Sequence, residues 1–105
     1  MPQAVRTAKN ESVFRAVNER ISEVQEGFGD AELVGFLCEC SRLGCREPVQ
    51  AWLQEYAAVR ANPRHFLVAH GHIDPDLERI VSRTERYMVI EKLGLAGEIA
   101  EDEAI

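Results

Sequence analysis

At 105 residues the chain has the length of one domain, able to bury roughly two-thirds of the surface it exposes when unfolded. An apolar fraction of 46% excludes wholesale disorder, and a formal net charge of -6 argues against general nucleic-acid binding, which needs clustered Lys and Arg against phosphate. No apolar run reaches the length of a bilayer span or secretory leader, so the expected location is cytoplasmic and the expected thiol state reduced.

Residues 1–9 read as a flexible tail. From Asn10 to Phe28, Val13, Phe14, Val17, Ile21, Val24 and Phe28 recur at the helical period, with polar residues on the remaining face. This predicts an amphipathic helix over 10–28, capped by Asn10 or Ser12 and ended at "GFGD". Its apolar stripe is expected to dock on the chain's own sheet, with a homodimer seam as the other use.

Residues 33–92 are expected to form a metal-binding α+β core. "ELVGFLCEC" reads as a strand, "SRLGC" as a turn, and "REPVQAW" as a short extended return with Pro48 on an edge. "LQEYAAVRAN" has helical spacing at Leu53, Tyr56 and Val59, and Asn62-Pro63 stops it. "HFLVAH" is a second strand and "GHIDPD" a loop. "LERIVSR" and "YMVIEK", separated by "TER", suggest a hairpin. Residues 93–105 form a short helix or acidic tail. The class is α+β, an N-terminal helix packed on a small, mostly antiparallel sheet. Arg42, Arg46, Arg60 and Arg64 read as solvated charges, and Trp52 as core volume.

All three cysteines, Cys38, Cys40 and Cys45, fall within eight residues, and all three histidines lie in "HFLVAHGH". An odd number of reduced thiols does not make a disulfide framework. On an extended segment Cys38 and Cys40 share a face, with Glu39 directed away between them. The turn returns Cys45 toward the pair, so three thiolates converge and one ligand is wanting. His72 is the chosen fourth ligand and His70 the reserve, with Gly71 letting the backbone bend near the site. His65 reads as an exposed helix–strand junction. A closed Cys3His set at strand ends matches structural zinc, with Cu(I) or an iron–sulfur cluster as alternatives. Inert buried thiols are the plain alternative.

Taken together, "FLCECSRLGC", "LQEYAAVRANPRHFLVAHGH" and "DPDLERIVSRTERYMVIEK" resemble a family of small bacterial proteins without an assigned activity. The likeness spans about Asn10 to Lys92. It implies a metal site at Cys38, Cys40, Cys45 and His72, because His72 falls on the family's "GH" histidine while His70 stands where proline is common. It supplies no function. Trp52 departs from the family pattern.

A Glu39–His70 acid–base pair beside a metal-bound water would need an open coordination position, which three thiolates disfavour. Deaminase and phosphate-loop motifs are absent from the sequence. The reading is therefore a non-enzymatic zinc-binding module for protein interaction or regulation, with an unidentified protein partner and no membrane. A metal- or thiol-dependent enzyme, or a redox or metal sensor, is the alternative at the same cluster.

Overall fold

The computed structural model describes residues 3–27, 33–40, 42, 45 and 47–103. In chain order these form α1 (Gln3–Glu26), β1 (Val34–Leu37), β2 (Pro48–Ala51), α2 (Leu53–Arg60), β3 (His65–Val68), β4 (Glu78–Arg83), β5 (Met88–Lys92) and α3 (Gly94–Glu103). The α+β class and the N-terminal helix are as the sequence predicts. The five strands divide into two antiparallel sheets, β1-β2 and β3-β5-β4. The expected helix end at "GFGD" and turn at "SRLG" lie largely outside the described residues.

The two sheets are joined by the segment that follows β1. Glu39 N–H donates to the Leu67 carbonyl at 2.8 Å, and Leu67 N–H donates to Glu39 Oε1 at 2.9 Å. Cys38 still bonds the Glu47 carbonyl just before β2, and from Glu39 the segment turns to β3. Phe66, Leu67 and Val68 of β3, and Ile90 of β5, are fully enclosed, which suits apolar runs covered on both faces. Phe36 stacks on Tyr56 with ring centres 4.4 Å apart, tying β1 to α2. At the start of α2 the Glu55 carboxylate accepts the Trp52 N–H at 2.8 Å, satisfying one donor that the helix itself leaves unmet. In β4, Val81 is an extra residue between the Ile80–Ile90 and Ser82–Val89 pairs, a bulge on an edge strand.

Three expectations about the helices and charges need correction. First, α1 begins at Gln3, so most of the expected tail is helix. Second, its inward face is not the apolar stripe. Val13, Val17 and Val24 are exposed, whereas Arg15 and Asn18 are buried, with Phe14 and Ile21 partly so. The cause is hydrogen bonding: Arg15 donates to the carbonyls of Pro63 at 2.8 Å and Ala100 at 3.0 Å, and its guanidinium lies over Phe66 at 5.0 Å. Buried carbonyls need donors, and a long cationic side chain supplies them. Third, Arg60 is no solvated charge. It lies over both Tyr56 and Phe66 and donates to the His65 carbonyl.

Candidate metal centre

Cys38 and Cys40 follow β1 directly, Cys45 lies in the β1–β2 connection, and His72 lies in the β3–β4 loop. Their ligand atoms all lie within 4.8 Å of one another. His72 Nδ1 is 3.4 Å from Cys38 Sγ and 3.6 Å from Cys45 Sγ. In a tetrahedral site with Zn–S of about 2.3 Å and Zn–N of about 2.0 Å, a sulfur and a nitrogen stand about 3.5 Å apart. The two nitrogen–sulfur distances match that value, and the other donor pairs lie within 4.8 Å, close enough for one ion to draw together.

Local backbone chemistry builds this arrangement. The strand alternation of β1 carries into residues 38–40, so the two thiols and the Glu39 carboxylate part to opposite sides. His72 N–H donates to the Ala69 carbonyl at 3.1 Å, closing a turn whose third residue is Gly71 at φ 79°. A positive φ at that position requires glycine or asparagine. A Cβ on Gly71 would meet nothing within 4 Å, so the glycine serves backbone conformation and not close approach to the site. Arg42 donates to the Gly71 carbonyl at 3.1 Å, linking the two loops that carry the donors.

The surroundings favour a thiolate at Cys40 and orient the imidazole. Ala69 N–H points at Cys38 Sγ at 3.2 Å, and Cys38 N–H bonds the Glu47 carbonyl at 3.1 Å. The Cys40 thiol is pushed down to about 4 because it accepts a hydrogen bond from Cys38, helped by the Arg42 N–H and by His72. The Cys38 thiol is pushed up by the same shared proton and by burial. Across the ring, His72 Nε2 lies 3.0 Å from the Glu47 carboxylate. With its proton on Nε2, facing Glu47, the ring would turn its Nδ1 lone pair to the sulfurs' side, the usual orientation of a metal-ligating histidine. Cys38 and Cys40 are buried, and Cys45 and His72 are partly so.

The other histidines stand apart. His70 is exposed, with Nε2 at 3.3 Å from the Glu85 carbonyl, so the reserve ligand is not in the cluster. His65 is half-buried at the start of β3, with Nε2 3.4 Å from Glu91. Glu39 cannot pair with His70, because its carboxylate is fully enclosed on the far side of the segment. There it accepts from Asn18 Nδ2 at 2.8 Å, Tyr56 Oη at 2.7 Å and Leu67 N–H at 2.9 Å, with Arg60 at 3.6 Å. The sequence reading missed this network. Its one signal was the alternation that turns Glu39 away from the thiols, a carboxylate sent inward between two buried residues.

A comparison with protein-family models, curated proteins and solved structures returns no match. No helix among the described residues is long and apolar enough to cross a membrane. What stands is an α+β fold carrying a Cys3His cluster capable of metal coordination.

Proposed function

We propose that Cys38, Cys40, Cys45 and His72 hold one zinc ion as a structural clip between the β1–β2 connection and the β3–β4 loop. The observation that carries this is the mutual spacing of the four donors, within 4.8 Å, in a largely buried setting. Sulfur-rich tetrahedral ligation favours zinc over magnesium or calcium, which take oxygen ligands. When bound, the ion would supply charge neutralisation and a cross-link between segments some thirty residues apart. Glu47 would orient His72 from behind.

The module is non-enzymatic on this reading, acts in the cytoplasm, and serves protein interaction or regulation. With all four positions supplied by side chains, no place remains for a substrate or an activated water. Cobalt(II) substitution in the full-length chain tests the ligand set. Thiolate charge-transfer and tetrahedral ligand-field bands are expected, altered by His72→Ala and unaltered by His70→Ala. Identical spectra for the two variants would remove His72 from the site, and a spectrum without thiolate bands would end the proposal.

A further inference from the structure

We infer that metal occupancy of the Cys3His cluster governs how firmly α1 docks on the rest of the protein. The inference rests on the metal reading above and adds a regulatory consequence to it. Glu39 stands between two of the four donors, so whatever holds Cys38 and Cys40 also sets the Glu39 backbone and the direction of its side chain. That side chain is where three elements meet: Asn18 of α1, Tyr56 and Arg60 of α2, and the Leu67 N–H of β3.

Asn18 makes the link to α1 specific. Its amide donates to the Leu37 carbonyl at 2.8 Å and accepts the Leu37 N–H at 2.8 Å, one residue before Cys38, as well as donating to Glu39. Hydrogen bonds lose strength steeply with small errors of angle and distance, whereas apolar burial is non-directional. The fully buried side chains on the docking face of α1 are polar, Arg15 and Asn18, with Phe14 and Ile21 only half-buried beside them and Val13, Val17 and Val24 turned outward. Between α1 and α2 an open groove of about 310 Å³, lined by Glu19, Ser22, Tyr56, Ala57, Arg60 and Ala61, further limits apolar contact. A helix held this way responds to a shift in residues 37–40 that a greasy interface would absorb.

The coupling is reciprocal by thermodynamic necessity. A docked α1 holds residues 37–40 in the geometry that points both thiols at the site, so undocking weakens metal binding by the factor by which metal strengthens docking.

Amide hydrogen exchange on the full-length chain, zinc-loaded and chelator-stripped, tests this directly. Stripping should speed exchange in the inward part of α1, around residues 14–25, by about tenfold or more, with β3 and β5 amides far less affected. Asn18→Ala should give fast α1 exchange with or without zinc, and a zinc affinity lowered by the same factor. Unchanged α1 exchange in a chain that demonstrably releases zinc overturns this inference alone. So does simultaneous opening of α1, β3 and β5. A chain that binds no zinc overturns the metal reading and this inference with it.

Discussion

The two sides of the Cys38–Glu39–Cys40 segment solve the same problem, polar groups inside a small core, by different chemistry. On the Glu39 side a buried carboxylate is matched by hydrogen-bond donors from α1, α2 and β3 and by the Arg60 guanidinium. On the cysteine side, three thiols and one imidazole face each other, with single backbone N–H groups behind Cys38 and Cys40. A carboxylate's demands can be met wholly from within a chain. A trio of mutually facing thiols with a histidine is the chemistry that a soft cation satisfies. The comparison teaches that burial alone does not mark a functional site. What distinguishes the two clusters is whether the protein's own donors complete them.

The largest effect expected from breaking this comparison is on the completed side. Glu39→Ala takes the carboxylate acceptor from Tyr56 Oη, Asn18 Nδ2 and the Leu67 N–H and leaves the Arg60 charge without its counter-ion, and should cost about 3–5 kcal/mol in urea unfolding. A loss below about 1 kcal/mol would mean that water reaches these groups. On the other side, Glu47→Gln leaves all four ligands in place but weakens the bond that orients His72. Zinc affinity should fall about 10–100-fold in a competition titration with a chromophoric chelator. An unchanged affinity would make the Glu47 contact incidental.

A smaller effect separates the two faces of α1. Val17→Ser, on the exposed face, should change unfolding stability by no more than about 0.5 kcal/mol. Asn18→Ala, one residue on, should cost about 1–3 kcal/mol by leaving the Leu37 groups unpaired. The reverse ranking would restore the apolar stripe as the docking face.

The smallest effect is on pH dependence, at a third polar cluster remote from the cysteines. Although burial alone would raise it, the Glu55 carboxyl is held below the usual carboxylate range by the Trp52 N–H, Tyr87 Oη and Arg86. A lowered folded value gives stability that is present above the unfolded carboxylate range and lost as pH falls through the folded value. Glu55→Gln should therefore flatten the acid side of the stability profile slightly, since the group is partly exposed. A profile parallel to wild type would deny that linkage.

The cluster was legible because its logic is local. Two cysteines two apart on an extended segment, a third a turn later, and a glycine-histidine pair at a strand end give a ligand set that sequence spacing can express. The strands and α2 were legible for the same reason, their apolar periods and their Pro and Gly stops being short-range signals. The Glu39 network was not. Asn18, Tyr56, Arg60 and Leu67 come from three separate elements, and no periodicity announces that an amide on one helix will meet a carboxylate 21 residues later. Arg15 and Asn18 defeated the reading of α1 for a related reason. A helical wheel ranks faces by hydrophobicity, and the docking face here was decided by carbonyls at Leu37, Pro63 and Ala100 that wanted donors.

The most direct test of the central claim is X-ray absorption at the zinc edge on the zinc-loaded full-length chain. The account predicts one zinc per chain with three sulfur neighbours at about 2.3 Å and one nitrogen neighbour at about 2.0–2.1 Å. A first shell of nitrogen and oxygen alone, or failure to retain zinc through gel filtration, would contradict it.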